Sequence, residues 1–327
     1  MSLPQLALCL KDPEAIQSVT RVTSAASSGL DLLSGNDLAS VLEGASPETL
    51  KLLILDADLL PPGALDEIVS VCPGLAVIVV ADEIDDALLA TALRIPGLVG
   101  FVGRSSGMAR SWELAYLVRR VVSPQQPPPG AHELLSWGAS SVVFRPRTTR
   151  DRDQAVEAVE VVAVRFGVPR RLASVVAEAS HELLMNAMFD APVDPDGRPR
   201  YAADRRAAIS LLDHEVPTLR LSVDGAHVAL DISDPFGRLP RDKLFGGLLR
   251  GRTGTVATSA STVLDTSHGG AGLGLFKLFG SASILRVEVV PNCKTVVSWI
   301  MDRSVDRRAH RSQSRSVYYV QATGNAP

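Results

Sequence analysis

Glu182-Leu-Leu-Met-Asn186 is the stretch that decides how the second half of this 327-residue chain is interpreted. It lies in a helix that the pattern predicts over 170–189, so Glu182 and Asn186 share one face, one turn from each other. The carboxamide oxygen of Asn186 suits a hard cation such as Mg²⁺, and the Glu182 carboxylate can orient or deprotonate an attacking hydroxyl. Because this spacing is common on ordinary surface helices, the segments that follow it in the chain must show whether Glu182 and Asn186 belong to a functional site.

Two further motifs follow in order along the chain. Asp231-Ile-Ser-Asp234-Pro-Phe-Gly237 ends an apolar strand, where a carboxylate can accept a hydrogen bond from an exocyclic amine such as that of adenine. Gly269-Gly-Ala-Gly-Leu-Gly-Leu275 runs into a helix, and its glycines let backbone N–H groups approach phosphate oxygens. A Walker loop is excluded because Lys277 follows Phe276, and a Rossmann fingerprint is excluded because Leu275 stands where a glycine is needed.

The patterns around these motifs predict an α+β two-layer sandwich in the second half of the chain. The predicted strands are 141–144, 218–223, 227–232, 284–290 and 295–300. The predicted helices are 151–166, 170–189 and one that begins at 273, and 191–206 is predicted to be a loop.

The first half alternates apolar strands with helical patterns, which predicts an α/β domain with a parallel sheet and helices on both faces. Its predicted strands are 5–10, 51–55, 75–80 and 98–102. Its predicted helices are 63–71, 83–93 and 111–122.

A proline-rich linker, Ser123-Pro-Gln-Gln-Pro-Pro-Pro-Gly130, separates the two halves. Its prolines cannot continue a helix or a central strand. The sequence therefore predicts a first domain over 1–122, a linker over 123–130, a second domain over 131–305 and a tail over 306–327. Arginines crowd the start of that tail, which favours a solvated, disordered segment over an anion-binding one.

The composition indicates a globular protein without a membrane span. Apolar residues make up 46% and charged residues 21% of the chain, and the longest apolar run near a strand, 75–81, is far too short to cross a bilayer. The three cysteines lack metal-ligand spacing and the first residues lack a signal-peptide pattern, so we expect a cytoplasmic protein. The net charge of −3 gives no reason to expect a nucleic-acid partner.

Taken together in this order, the three motifs resemble the GHKL ATPase superfamily, which includes the histidine kinases, over about residues 138–302. The most similar branch is that of the anti-sigma-factor serine kinases. The stretches that carry this resemblance are VVFRPRT (142–148), FGVPRRL (166–172) and VVAEASHELLMNA (175–187). It implies a cytoplasmic bacterial signalling protein with ATP or ADP and Mg²⁺ as cofactors.

The resemblance also implies roles for single residues. Asn186 would coordinate Mg²⁺, and Glu182 would be the general base or would position water. Asp234 would bind the adenine amine. Gly237 would belong to the same adenine-binding motif, and Thr295 would support that site. The residues that would cradle the phosphates are Gly270, Gly272 and Gly274, and 238–269 would form a lid. The sequence departs from the family at Asp234-Pro-Phe-Gly237, where Asp-x-Gly-x-Gly is usual, and in a long loop over 191–217.

The first domain resembles a response-regulator receiver. LLILDADLLPPG (52–63) is similar to the strand, phosphoacceptor and loop of that family, with Asp56 as the best match and Asp58 as the second. Ala81 stands where Ser or Thr is usual, Arg104 stands where Lys is usual, and the end of the first strand lacks an acidic pair. Because phosphoryl transfer needs Mg²⁺ against the developing charge, we expect a pseudo-receiver that serves as an interaction or dimerisation module.

These inferences predict a signalling protein that phosphorylates a partner protein on a hydroxyl, or binds and releases it according to nucleotide state. The alternative is a non-catalytic pseudo-receiver and pseudo-ATPase that acts as a scaffold. His181 lies on the Asn186 helix and His132 lies near the linker, and neither sits in a phosphoacceptor hairpin, so we expect both to be packing or surface residues. A homodimer is compatible with either reading.

Overall fold

The computed structural model describes residues 3–27, 29–60, 63–72, 74–105, 108–123, 128–194, 196–257, 271–303 and 313–322. The chain forms two compact units. Unit 1 comprises Met1–Gln126 and Gln313–Val320, and unit 2 comprises Pro127–Ser312 and Gln321–Pro327. Among the described helices, none combines the length and the apolar character that crossing a bilayer requires.

Unit 1 alternates strands and helices. Its strands are β1 (Gln5–Cys9), β2 (Asp31–Gly35), β3 (Leu50–Asp56), β4 (Ala76–Ala81), β5 (Leu98–Ser105), the short β6 (Met108–Ala109) and, from the end of the chain, β12 (Ser316–Gln321). Its helices are α1 (Pro13–Ala26), α2 (Leu38–Glu43), α3 (Ala64–Val71), α4 (Asp86–Arg94) and α5 (Ser111–Val122).

The sheet of unit 1 has a parallel core in the order β2-β1-β3-β4-β5. This is the order of the flavodoxin-like doubly wound fold, which the receiver CheY also has. Helices α1 and α5 contact each other, and right-handed crossovers in this order place α2, α3 and α4 on the opposite face. The predicted parallel sheet with helices on both faces is therefore confirmed for unit 1.

Strand β2 and helix α1 are absent from the sequence-based prediction, and both have a weak apolar signal. The burial pattern of β2 is mixed because it pairs with β1 at the edge of the parallel core. Helix α1 buries only a narrow stripe made by Ala15, Val19 and Thr23, and Asp12 caps its N-terminus by accepting from the Glu14 N–H.

Strand β12 overturns part of the predicted disordered tail, because Ser316–Gln321 pairs antiparallel with β5. Two glycines of β5 make room for it. A Cβ on Gly100 would lie 2.5 Å from the Cα of Tyr318, and a Cβ on Gly103 would lie 2.7 Å from the backbone of Ser314. The arginine-rich composition of the tail hid a strand whose side chains are buried from Ser316 to Val320.

Unit 2 begins with a 3₁₀ turn at Ala131–Glu133. Its strands are β7 (Ser140–Phe144), β8 (Thr218–Val223), β9 (His227–Asp234), β10 (Ile284–Val290) and β11 (Lys294–Asp302). Its helices are α6 (Thr149–Arg165), α7 (Arg170–Met185), a π-helical turn at Asn186–Asp190, α8 (Arg241–Ala257) and α9 (Ala271–Ser281).

The sheet of unit 2 is antiparallel throughout, in the order β10-β11-β9-β8-β7. Helix α7 packs on β9, and the indole nitrogen of Trp299 on β11 donates to the Leu278 carbonyl of α9 at 3.1 Å. The opposite face holds a buried carboxylate, Asp231, which accepts from the Ala131 N–H at 2.8 Å. One face of the sheet thus carries helices, and the other anchors the segment that follows the linker.

Two segments of unit 2 differ from the predictions. The helix predicted over 170–189 ends at Met185 and continues as the π-helical turn. The predicted lid over 238–269 contains α8 from Arg241 to Ala257, and 258–270 lies outside the described residues. The apolar residues Leu244, Phe245 and Leu248 of α8 are fully buried, so this helix packs into the core of unit 2, and the lid role stays a prediction.

Candidate functional site

A cavity of about 480 Å³ lies on the helical face of unit 2. Such a volume is within the range of small-molecule sites. Its walls come from the α7 end and π-helical turn, the loop after them, the ends of β9 and β11, and the starts of α8 and α9. The lining residues are Leu183, Asn186, Ala187, Asp190, Ala191, Val193, Gly197, Pro199, Ile232, Asp234, Arg238, Leu239, Lys243, Leu275, Asn292, Thr295 and Val297. The predicted residues Asn186, Asp234 and Thr295 therefore meet at one cavity.

Asp234 is a buried carboxylate in the wall of this cavity. It ends β9, and the β9–β11 register places it directly opposite Thr295. Its Oδ1 accepts from the Phe236 N–H at 3.0 Å. Burial raises the pKa of Asp234 to about 6, although the Phe236 and Gly237 N–H groups and the Thr295 hydroxyl work in the opposite direction. A buried, ionisable acceptor beside apolar walls can recognise an amine donor.

Gly237 shapes the turn that follows Asp234. Its φ is +60°, and a Cβ there would lie 2.1 Å from the Val290 carbonyl oxygen. The Asn292 N–H also donates to the Gly237 carbonyl at 3.3 Å. The absence of a side chain at Gly237 therefore allows its backbone to contact the backbone of the turn between β10 and β11 beside the cavity.

Asn186 starts the π-helical turn and is held by a cation from the long loop. Its Oδ1 accepts from Nη2 of Arg205 at 3.0 Å. The same guanidinium binds Asp190 in a fork, with Nη2 at 2.5 Å from Oδ2 and Nε at 3.2 Å from Oδ1. The π-helical geometry brings Asn186 and Asp190, four positions apart, to one guanidinium, and such turns occur frequently at functional sites.

Two more cations line the cavity. Nζ of Lys243 lies 3.5 Å from Oδ2 of Asp190. Arg238 is exposed at the cavity and makes no ion pair with any residue that the structure describes. Near Asn186, the positive charges of Arg205 and Lys243 outnumber the negative charge of Asp190, which suits an anionic ligand, although Arg205 itself is not among the lining residues. The sequence interpretation missed all three because they lie in irregular or helical segments outside the three motifs.

Glu182 faces a different direction from Asn186. It lines a second cavity, of about 700 Å³, together with His181 and Lys277. Its Oε1 lies 4.0 Å from Nζ of Lys277, and a Cβ on Gly274 would lie 2.5 Å from its Oε2. Burial, followed by the nearby Arg152 guanidinium, holds the pKa of His181 below its usual value. The carboxylate thus lies against helix α9 rather than in the wall of the first cavity.

The predicted phosphate-binding glycines are only partly described. Gly272 and Gly274 belong to the first turn of α9, and Gly274 is buried. Gly270 lies outside the described residues. A helix that begins with glycines beside an anion site offers backbone N–H groups to phosphate oxygens, so this role remains a prediction.

The donors around Asn186 do not fit the Mg²⁺ ion that the family resemblance implies. Its amide oxygen is engaged by Arg205, and the carboxylate of Asp190 is shared between Arg205 and Lys243. The described residues contain no cluster of three or more His, Cys, Asp and Glu side chains that could hold a metal ion. Mg²⁺ is normally held by one or two carboxylates and phosphates, and here the available carboxylate is already neutralised.

The long loop that carries Arg205 is packed rather than loose. Tyr201, Ala207 and Val216 pack on a buried cluster made by Met185, Met188, Phe189, Ile209 and Leu211. Nη2 of Arg200 binds Oε1 of the buried Glu215 at 2.5 Å. The position of Arg205 is therefore set by a small core of its own, and the loop forms a wall of the site.

A second candidate site lies in unit 1, at the carboxyl ends of its parallel strands. Asp56 ends β3 and is buried, and one of its oxygens accepts from the Lys11 N–H at 2.7 Å. Arg104 of β5 donates to the other oxygen of Asp56 and, at 2.7 Å, to Asp82. Burial opposes the charge of Arg104, but its hydrogen bond and ion pair with Asp56 hold its pKa above the usual value.

This arrangement leaves Asp56 without a free oxygen. The ammonium of Lys11 pairs with Asp58 at 3.6 Å, so the second predicted phosphoacceptor is also beside a cation. Arg104 bridges two carboxylates, with Nη2 bound to the buried Asp56 and Nη1 bound to Asp82, and charge-assisted hydrogen bonds of this kind are strong. The geometry supports a structural ion pair at the position where a receiver carries its phosphoacceptor.

No protein-family model and no curated protein matches the chain. Among solved structures, it is similar to a response regulator from Thermotoga maritima, with 15% identity and a TM-score of 0.31 over 37% of this chain and 99% of that chain. A response regulator receiver domain protein from Clostridium thermocellum gives 15% identity and a TM-score of 0.31 over 37% of this chain and 94% of that chain. A CheY-like protein (tadZ) from Pseudomonas aeruginosa PAO1 gives 20% identity and a TM-score of 0.28 over 39% of this chain and 100% of that chain. The fold of unit 1 is accordingly assigned from its strand order.

Proposed function

We propose that this chain is a cytoplasmic signalling protein whose second unit binds an adenine nucleotide, ADP or ATP, and so controls a partner protein. The observation that carries the proposal is Asp234, a buried carboxylate opposite Thr295 in an otherwise largely apolar cavity wall. All three cysteines are unpaired, which favours a reducing compartment.

The lining of the cavity supports a ligand that has both a base and an anionic group. Asp234 accepts a hydrogen bond from the exocyclic amine while Ile232 and Val297 contact the ring. Lys243 and Arg238 belong to the same lining and would bind the phosphates. Apolar walls with a few directed polar groups are the usual composition of a small-molecule site.

Phosphorylation of the partner is one form of this function. Glu182 would accept the proton of a partner hydroxyl as that oxygen attacks the γ-phosphorus, and ADP would leave with the electron pair of the broken P–O bond. The packing of Glu182 against Gly274 of α9 supports this role because it brings the carboxylate to the helix that would meet the phosphates.

A scaffold without turnover is the second candidate function, and two arginine contacts favour it. Arg104 forms an ion pair with Asp56 in unit 1, and Arg205 donates a hydrogen bond to Asn186 in unit 2. In this form unit 1 is a pseudo-receiver that acts through protein contacts, and nucleotide is a structural ligand or is not bound.

Calorimetric titration of the full chain with ADP and with inosine diphosphate tests the proposal. Inosine diphosphate carries a carbonyl oxygen in place of the adenine amine, so it lacks the exocyclic N–H group that is proposed to donate to Asp234. We expect ADP to bind at least about tenfold more tightly, as for a lost hydrogen bond to a buried charged acceptor. Equal affinity would remove the adenine assignment, and no binding of either ligand to the folded chain would leave the scaffold.

A further inference from the structure

We propose that the second cavity of unit 2, which we call the docking groove, binds a cationic amphipathic helix of the partner protein. Such a helix has apolar side chains on one face and lysine or arginine side chains beside them. This inference rests on the proposed function, since it names the chemistry by which the partner of the nucleotide-binding unit is recognised.

The docking groove is a trough that runs over helix α7. Helices α6 and α9 both pack on α7, and the groove that the three helices line has a volume of about 700 Å³. The small side chains of Ser174 and Ala177 from α7 line it together with Val156 of α6 and Leu278 of α9. A mainly apolar trough of this kind is a surface into which an amphipathic helix can lay its apolar face.

Gly280 keeps one wall of the docking groove open. It lies in the last turn of α9 and lines the groove. A Cβ at this position would meet no atom within 4 Å, and the backbone there does not have a positive φ. Glycine destabilises a helix relative to alanine, and here neither close packing nor backbone conformation requires it. What the missing side chain provides is free space for a bound group.

The charges around the docking groove favour a cationic occupant. Three carboxylates line it, those of Glu160, Glu178 and Glu182, and Lys277 contributes one ammonium group. Burial, followed by the Arg152 guanidinium, holds the pKa of the lining residue His181 below its usual value, so this imidazole is neutral near pH 7. The lining therefore has two more negative than positive charges, which attracts lysine and arginine side chains.

The carboxylates of the docking groove are held in place without being fully neutralised. Oε1 of Glu160 accepts from the Ser174 hydroxyl at 3.0 Å, which ties α6 to α7. Glu178 is exposed and makes no ion pair with any residue that the structure describes. The Glu182 and Lys277 pair is loose, at 4.0 Å with the lysine 71% exposed. An exposed pair of this kind contributes little, so a cation of the partner can replace Lys277.

The position of the docking groove links it to the proposed chemistry. Glu182 lines the groove, and a Cβ on Gly274 in the first turn of α9 would lie 2.5 Å from its Oε2. A helix bound in the groove would lie beside the carboxylate that is proposed to accept the proton of the partner hydroxyl. Docking and phosphoryl transfer would then share this one side chain.

The test is fluorescence anisotropy of a fluorescein-labelled peptide titrated with the full chain. The peptide is made of leucine and lysine at helical spacing, is about two heptads long, and is compared with a peptide that has glutamate in place of lysine. We expect the lysine peptide to bind at least about tenfold more tightly at about 0.1 M salt.

Two variants place this binding in the docking groove. Gly280→Leu fills the open wall and should weaken binding of the lysine peptide at least about tenfold, and Glu178→Gln should weaken it at least about threefold. The controls should stay within about twofold of the wild type. They are Gly254→Leu in α8, where a Cβ likewise meets no atom within 4 Å, and the exposed Glu43→Gln in α2. Thermal unfolding checks that every variant is folded.

Each outcome has a distinct meaning. Absence of binding, equal affinity for the two peptides, or binding that both groove variants leave unchanged overturns the docking groove. Calorimetric titration of the same wild-type chain with ADP separates this result from the proposed function. ADP binding without peptide binding removes the groove and keeps the nucleotide site, whereas peptide binding without ADP binding keeps the groove and removes the nucleotide site.

Discussion

Asp234 and Thr295 stand directly opposite each other on β9 and β11, and both line the cavity of unit 2. The carboxylate is 8% exposed and the threonine is 1% exposed. Burying an acid next to a hydroxyl and apolar walls weakens the fold at neutral pH, and such a cost is typical of residues that are kept for a ligand.

ADP affinity should fall as the pH drops through the pKa of Asp234, which is about 6. The ionised carboxylate accepts from the adenine amine, and protonation removes that acceptor. Titration calorimetry between pH 7.5 and 5 should show affinity weakening by about tenfold. Asp234→Asn should bind weakly and show only the pH dependence of the ADP phosphate, whose second ionisation also lies near pH 6, and parallel profiles of the two proteins would contradict this role.

Asp234→Asn should also stabilise unit 2, provided that the pH is above about 6. Below pH 3.8, which is the ordinary pKa of this carboxyl, Asp234 is protonated in both the folded and the unfolded state. It then does not lower the free energy of unfolding. The penalty grows as the pH rises from there to about 6, and it is complete above that value. Two pKa units correspond to about 3 kcal/mol. Urea unfolding at pH 7.5 and pH 3.5 measures the difference, with the exposed Asp242→Asn as the control that should change neither value.

Gly237→Ala should destabilise the fold by more than about 2 kcal/mol, because a Cβ would meet the Val290 carbonyl and the backbone has a positive φ. Thermal unfolding measures the loss. Gly225→Ala is the matched control, since a Cβ at that turn meets no atom within 4 Å. Equal melting temperatures of the two variants would show that the turn after Asp234 relaxes freely.

Arg104→Ala should cost about 3 kcal/mol of unfolding free energy, because it leaves the buried Asp56 carboxylate unpaired. Arg94→Ala breaks the exposed pair with Asp66, where both side chains are about half exposed, and should cost less than about 1 kcal/mol. Urea unfolding of both variants makes the comparison. If Arg104→Ala is as stable as the wild type, Asp56 is not held by an ion pair and remains open as a phosphoacceptor.

Ser316→Ala should loosen β12 from β5. Oγ of Ser316 accepts from the buried Gly103 N–H at 2.9 Å, and loss of that acceptor should cost about 1–3 kcal/mol. Amide hydrogen exchange at Gly103 reports the change directly. Ser314→Ala is the control, because Ser314 accepts from Arg110 through its backbone carbonyl. Unchanged protection of Gly103 would mean that the strand is held by its backbone pairing alone.

Strongly apolar runs made much of the fold predictable. The continuous burial of β3 and β4 follows from sequences that are almost wholly aliphatic, and such runs indicate central parallel strands. Strand β12 escaped prediction because its apolar residues follow an arginine-rich segment. Helix α8 escaped because its glycines and threonines give it almost no amphipathic pattern.

The site could be predicted only as far as its motifs extended. Asn186, Asp234 and Thr295 lie on regular elements or their ends, and the family resemblance of the motifs pointed to them. Arg205 and Asp190 meet through a π-helical turn and an irregular loop, and neither has a periodic signature. The helical spacing predicts that Glu182 and Asn186 share one face. In the structure, the Glu182 carboxylate points toward α9 and lines the second cavity instead.

The return of β12 to unit 1 sets an order of events during synthesis. The sheet of unit 1 receives its last strand from residues 316–321, after the main segment of unit 2 has left the ribosome. Until then, the β5 edge, with its two small glycines, presents unpaired backbone groups to other strands. The second unit can therefore fold before the first is complete. A chain whose synthesis stops before residue 316 would keep the β5 edge unpaired and prone to aggregation.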